Sequence, residues 1–278
     1  MSQTAASPSL PTIAFIGGGN MASAIIGGLI HQGHPASQIE VVEPWAEARE
    51  ALRKNYGIEA QAEAGPALQR AQIVVWAVKP QTFKDAAAQA RAHTQQALHL
   101  SVAAGIRTDS IAQWLGSERI VRTMPNTPAL VGKGMSALYA RPSVSAPERQ
   151  SIEAIMATTG EFLWVDEEQQ LDAVTALSGS GPAYVFYFLE AMARAGTDMG
   201  LTAAQAHQLA VGTFVGASEL ARRSDETPAV LRQRVTSKGG TTYAALQSME
   251  QDAVGEKFVQ AMQAARQRAH ELGDEFGK

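Results

Sequence analysis

The sequence predicts an α/β fold: a doubly wound, mostly parallel sheet in the first part of the chain, followed by an all-α part. Three observations carry this. Short apolar runs alternate with helical stretches through the first half. A glycine cluster stands directly behind the first apolar run, and from Glu167 onward no strand pattern recurs. Strands alternating with helices imply parallel strands covered on both faces. At 278 residues the chain exceeds what one core usually fills, so two domains are expected, 1–165 and 166–278.

Residues 1–10 are rich in Ser, Ala and Pro and read as a tail. Residues 11–16 form an apolar run ending at Gly17, a buried strand, and 20–31 read as a helix stopped at Gly33. A second strand is expected at 39–43 and a second helix at 45–56. "IVVWAV" at 73–78 is the third strand, followed by a helix after Pro80. Strands at 98–102 and 119–123 flank a helix at 108–115. Beyond Val165 the pattern predicts helices at 171–177, 183–199, 203–223, 228–235 and 253–272. The segment "AYVFYFLEAMA" is apolar almost all round, so it calls for burial on every side. A few helices cannot bury it alone, and a dimer core is expected.

Composition excludes several classes. The net charge is −4 with no stripe of Lys and Arg, so no nucleic-acid partner is expected. The chain has 0 cysteines, hence no disulfide, thiolate nucleophile or Cys-ligated zinc, which fits a cytoplasmic protein. Residues 13–30 carry no charge and have the length of a membrane span. They contain Asn20, Ser23 and five glycines, and no positive segment precedes them, so a buried strand–turn–helix is the better reading and no membrane partner is expected. His31 and His34 flank a helix end with no third ligand nearby, and no metal is expected. His207 reads as packing or surface, and the pairs Glu167/Glu168 and Asp225/Glu226 as helix-start charges.

Six motifs remain. In "IAFIGGGNMASAII", Gly17, Gly19 and Ala22 match G-x-G-x-x-A between a strand and a helix, the Rossmann-like arrangement that brings backbone N–H groups to a pyrophosphate. Glu43 ends the second strand and can accept hydrogen bonds from an adenosine ribose, which favours NAD. Arg49 is the alternative, a partner for a 2′-phosphate, but reads better as a surface helix residue. "AVKPQ" (Ala77, Val78, Lys79, Pro80) and "SVAAG" (Ala103, Ala104, Gly105) end two further strands, where ligands sit in open α/β sheets. "RTMPNTPALVGKG" is stiffened by Pro125 and Pro128, and Asn126 can bond backbone within it. "ALSGSGPAY" gives a chain break, then a proline at an early helical position. In "SKGGTT", Gly239 and Gly240 permit close approach of a ligand, and Thr241 and Thr242 can cap the helix that follows.

In this order and spacing, "GGGNM", "AVKP", "MPNTP", "LSGSGPAY" and "SKGGTT" resemble pyrroline-5-carboxylate reductase, the last enzyme of proline synthesis, over nearly the whole chain, from about residue 13 to 272. The resemblance implies a Rossmann domain followed by an all-α dimerisation domain, with five dimers in a ring in some members. It implies NADPH as the default cofactor, with NAD as the alternative, and 1-pyrroline-5-carboxylate as substrate. Carried over by position, Gly17, Gly19, Asn20, Met21 and Ala22 would hold the pyrophosphate. Ala77 to Pro80, Ala103 to Gly105 and Asn126 would line the cofactor. Ser237, Gly239, Gly240 and Thr241 would hold the substrate carboxylate, and Thr242 would face the imine nitrogen. This chain departs from many members at Lys238, where Pro is common, and at Ala64, where Asn is common.

Two rivals are weaker. A β-hydroxyacid dehydrogenase needs a helix-borne Lys and Asn after its glycine turn, and "AYVFYFLEAM" has neither. A dinucleotide sensor without catalysis has no use for the "SKGGTT" turn.

Overall fold

The structure is a computed structural model and describes residues 10–277. The strands are β1 (Ile13–Ile16), β2 (Ile39–Val42), β3 (Ile73–Trp76), β4 (Leu98–Ser101), β5 (Ile120–Met124), β6 (Gly134–Ala140) and β7 (Gly160–Trp164). Between them lie α1 (Asn20–His31), α2 (Ala46–Tyr56), α3 (Pro80–Ala90), α4 (Thr108–Leu115) and α5 (Ala146–Met156). Then come α6 (Gln170–Val174), α7 (Gly181–Asp198), α8 (Ala203–Arg223), α9 (Pro228–Arg234), α10 (Thr241–Gln251) and α11 (Val254–Phe276).

The strands form one sheet in the order β2-β1-β3-β4-β5-β6-β7. All pairs are parallel except β5 with β6. The period of two along each strand sorts the core onto two faces. Ile13, Phe15, Val41, Val75 and Leu100 meet α1, α2 and α5 through Ile25, Leu52 and Ile152. Ala14, Ile16, Val74 and Trp76 meet α3 and α4 through Phe83 and Ile111 on the other face. The expected α/β class and the all-helical second part are therefore both present. The uncharged stretch is β1, a turn and α1, and no helix among the described residues is long and apolar enough to cross a membrane.

Three elements were not anticipated: β6, α5 and β7. The start of α5 was legible, because Ser145 and Glu148 form a reciprocal capping box with Pro147 in the first turn. β7 is a half-exposed edge strand whose residues alternate in burial, too short to stand out. The expected strands 39–43 and 73–78 end earlier, at Val42 and Trp76, which puts Glu43, Ala77 and Val78 into strand-to-helix turns.

Packing divides the chain after Ser180 rather than at Val165. Gly181–Ala264 form one unit; the sheet, the residues up to Ser180 and the end of α11 from Ala265 form the other. The physical reason lies in two sets of contacts within the sheet unit. Glu168 accepts from the Thr108 backbone N–H at 2.7 Å, from its hydroxyl at 2.6 Å and from buried Arg122 at 3.0 Å. At the chain's end, Arg107 donates to Asp274 at 3.0 Å.

The break expected at "GSGP" is also different in kind. α6 passes into a wide π turn, Thr175–Gly179, closed by the Ser180 N–H on the Thr175 carbonyl at 2.8 Å. In the helical unit, α7 is not buried all round: Phe186 is 57% and Tyr187 69% exposed. Its other side is packed by Phe258 of α11, edge-on to Tyr184 and Phe188 at 5.5 and 5.7 Å.

Candidate active site

β1 and β3 are neighbours although β2 follows β1 in sequence, so the connections leave this pair in opposite directions. The crevice at their carboxyl ends is the topological switch point where ligands bind in such sheets. The glycine loop fills it. Gly17 has φ 98° and donates to the Val42 carbonyl at 2.8 Å; a Cβ there would stand 2.6 Å from the Ala77 oxygen. Gly19 is the N-cap of α1, no side chain caps it, and a Cβ there would meet nothing within 4 Å. Space beside an uncapped helix start, with the α1 dipole behind it, fits the pyrophosphate of a dinucleotide. Asn20 is exposed at the rim and Met21 half-buried. Ala22 is wholly buried against the sheet, so only its backbone can serve the site.

Sequence reasoning missed Gly18, the middle glycine. Its N–H donates to Glu43 Oε2 at 2.7 Å, and a Cβ there would strike Leu52 Cδ1 at 2.7 Å. The structure adds a role to the one expected of Glu43: its carboxylate is buried, Oε1 accepts the Trp45 N–H at 2.9 Å, and both oxygens brace the loop. Arg49 is more than a surface residue: it donates through Nη1 to the carbonyls of Glu43 and Pro44 at 2.9 and 2.6 Å.

At the β3 exit, Ala77 and Val78 are half-buried, and Lys79 is the exposed N-cap of α3, with Pro80 at the first helical position. Of Ala103, Ala104 and Gly105 at the β4 exit, only Ala104 is half-exposed. Ala103 lies in the core beside Trp76. Gly105 (φ 74°) packs against α11, where a Cβ would meet Leu272 at 2.9 Å.

The structure brings "MPNTP" and "LSGSGP" together. Asn126 Oδ1 accepts the Met135 N–H at 2.9 Å, and its Nδ2 donates to the Ser178 carbonyl at 3.0 Å. With the residue only 9% exposed, its amide ties the β5 exit to the π turn.

In the helical unit, the turn at 237–242 is a helix start. Gly239 has φ 74°, Gly240 is the N-cap of α10 with φ −81°, and the Gly240 N–H donates to the Ser237 carbonyl at 3.0 Å. Thr241 and Thr242 are the first two helical residues and therefore not caps, against expectation. Both are exposed, and neither hydroxyl bonds the protein among the described residues. Lys238 and Tyr243 line a neighbouring cavity of about 470 Å³ with Arg232 and Glu250. Among the described residues no cluster of three or more His, Asp or Glu could hold a metal ion.

Comparison with known proteins bears on both units. Residues 168–272 match the family described as pyrroline-5-carboxylate reductase dimerisation. Residues 12–105 match NADP oxidoreductase, coenzyme F420-dependent. A pyrroline-5-carboxylate reductase of Pseudomonas aeruginosa is 44% identical over 97% of this chain and 100% of its own. The structure of a pyrroline-5-carboxylate reductase from Coxiella burnetii is 37% identical, with a TM-score of 0.87, over 94% of this chain and 98% of that one. The Plasmodium falciparum pyrroline carboxylate reductase, with NADP bound, is 26% identical with a TM-score of 0.86, over 95% and 99%. With a dinucleotide crevice in one unit, a helix-start turn in the other and relatives matched end to end, the chain belongs to the pyrroline-5-carboxylate reductase family, NAD(P)H-dependent oxidoreductases of the last step of proline biosynthesis.

Proposed function

We propose that the sheet unit binds NADPH at the loop of Gly17, Gly19, Asn20, Met21 and Ala22, and that the helical unit holds the substrate and dimerises. When bound, the reduced nicotinamide supplies a hydride to the C=N carbon of 1-pyrroline-5-carboxylate. The chain's own groups align it. The backbone of Gly239, Gly240 and Thr241, with Ser237 beside it, forms a nest that suits the substrate carboxylate. Thr242 orients the imine nitrogen, either by accepting a hydrogen bond from the N–H of the protonated imine or by relaying a proton from water to the nitrogen. Lys79 and Ala104 flank the cofactor at the β3 and β4 exits.

The observation that carries this reading is the unbonded Thr242 hydroxyl on the second residue of α10, beside the backbone N–H groups of a Gly-Gly turn. The test is oxidation of NADPH and of NADH on addition of 1-pyrroline-5-carboxylate, followed by detection of proline. Cofactor oxidation without proline would refute it.

The assembly we propose is a homodimer, five of which close a ring, in the cytoplasm. Exposed apolar side chains on α7 and α8, among them Phe186, Leu209, Val215 and Leu220, support an interface. Light scattering reads the order, and an active monomer would overturn it.

A further inference from the structure

A polar cavity of about 330 Å³ lies against the antiparallel pair β5 and β6, walled by the start of α4 and by the chain between β7 and α6. It belongs wholly to the sheet unit, and none of its lining residues is among those assigned above to cofactor or substrate. Two of them, Arg122 of β5 and Tyr139 of β6, are direct partners across the ladder. Cross-strand partners stand on one face of a sheet, so both side chains reach the same space.

Arg122 is only 3% exposed, yet among the described residues its guanidinium is bonded through Nη1 alone, to Glu168 at 3.0 Å. Nε and Nη2 have no partner there and are not sealed in the core, so they face the cavity. The Tyr139 hydroxyl is likewise unbonded among the described residues. Buried donors are normally satisfied. A guanidinium edge left open beside a phenol calls for an acceptor, and a carboxylate matches that edge in shape and charge. The second guanidinium of the lining, Arg107, is already held by Asp274 at 3.0 Å.

The rest of the lining has the opposite sign, with five carboxylates against the two guanidinium groups. Three are engaged: Glu168 by Arg122, Asp109 by Arg141, and Asp172 by His270 at 3.4 Å. Asp166 and Glu167 are exposed and have no ion pair among the described residues, so they call for a cation. A bare metal ion does not suit the site. Among the described residues no three acids or histidines converge to hold one, and it would leave the Arg122 and Tyr139 donors unmet.

We propose that this cavity binds a basic α-amino acid, with the carboxylate on Arg122 and Tyr139 and the cationic side chain on Asp166 and Glu167. Its volume is at the small end for ligand cavities, which suits a single amino acid. The excess of acid in the lining selects a ligand with more positive than negative charge.

The test is calorimetric titration of the full-length protein at low salt with L-lysine and with two truncations of it. Cadaverine lacks the carboxylate, and L-norleucine lacks the side-chain ammonium. The wild type should bind one L-lysine per chain and each truncation about tenfold or more weakly. Tyr139→Phe removes only the hydroxyl, and should weaken L-lysine roughly three- to tenfold while leaving cadaverine unchanged. Asp166→Asn combined with Glu167→Gln should weaken L-lysine and cadaverine about tenfold and leave L-norleucine unchanged. These variants carry the test because Arg122→Gln would also strip Glu168 of a buried partner. No saturable binding of L-lysine up to about 10 mM would leave the cavity to water and overturn the inference. L-norleucine binding as tightly as L-lysine would overturn it too. So would wild-type affinity for L-lysine in either variant, which would place the amino acid elsewhere.

Discussion

Glu43 Oε2 accepts the N–H of Gly18 at 2.7 Å, a buried bond between residues 25 apart in sequence. It joins the end of β2 to the middle of the glycine loop, so an acid at a ribose position is here a strut. Glu43→Ser should leave a buried N–H without a partner, at a cost of about 1–3 kcal/mol. The loop would loosen for either cofactor, and kcat/KM should fall for NADPH and NADH together, their ratio changing by less than about threefold. Steady-state kinetics with both cofactors decide it. A gain for NADPH alone would return the carboxylate to the ribose.

The first and third glycines should behave in opposite ways. Gly19 has an ordinary backbone conformation and open space ahead of it, so Gly19→Val should fold normally and lose cofactor affinity by tenfold or more, on the order of 1.4 kcal/mol or above. Gly17 has φ 98° and the Ala77 oxygen 2.6 Å from any Cβ. Gly17→Ala should therefore cost roughly 2 kcal/mol or more of stability before any question of binding arises. Thermal melts and cofactor titration, run on both variants, separate the two; equal melting losses would remove the distinction.

Much of this architecture was legible because it rests on local pattern. β1, the Gly17–Gly19 turn and α1 follow from an apolar run, glycines at fixed offsets and a helical period. What escaped depends on contacts between distant residues. Nothing near Asn126 in sequence announces Ser178 as its partner, and nothing near Glu43 announces that Gly18 claims its carboxylate. The return of α11 to the sheet, against Gly105, is likewise invisible to periodicity. The Gly-Gly-Thr-Thr turn was found, but which residue caps α10 depends on where the first helical φ and ψ fall; they fall at Thr241, which makes Gly240 the cap.

His99 offers a pH test. It is buried in β4, its Nδ1 accepts the Trp76 indole N–H at 3.2 Å, and burial, reinforced by the charge of Arg119, lowers its pKa to about 4. The unfolded chain binds this proton near the ordinary value of 6.5, the folded chain only near 4. Between those values the unfolded state holds more protons, so stability is full above the upper one and is lost as pH falls toward the lower, by up to roughly 3 kcal/mol. His99→Leu should cost about 1 kcal/mol at neutral pH, for the lost indole partner, but flatten that decline. Urea midpoints at fixed protein concentration across the window check it. An identical acid slope in the variant would remove His99 as its cause.

Thr242→Val tests the proposed chemistry. Valine keeps the branched shape and removes the hydroxyl. Because Gly240 rather than Thr242 is the N-cap, and the hydroxyl bonds nothing in the protein among the described residues, the variant should melt within about 0.5 kcal/mol of the wild type. If the hydroxyl engages the imine as charge changes at nitrogen, its loss removes a hydrogen bond to a charged group, about 1.5–3 kcal/mol, or roughly 10- to 150-fold in rate. The loss should fall on kcat more than on KM, since an interaction made in the transition state does not help ground-state binding. Thr241→Val is the control: it is the neighbouring helical residue, equally exposed, and is proposed to act through its backbone, so its kcat should stay within about threefold. Equal losses in the two variants would assign both hydroxyls to the turn's structure. A Thr242→Val enzyme with wild-type kcat/KM would leave the reduction to the cofactor and the carboxylate nest alone.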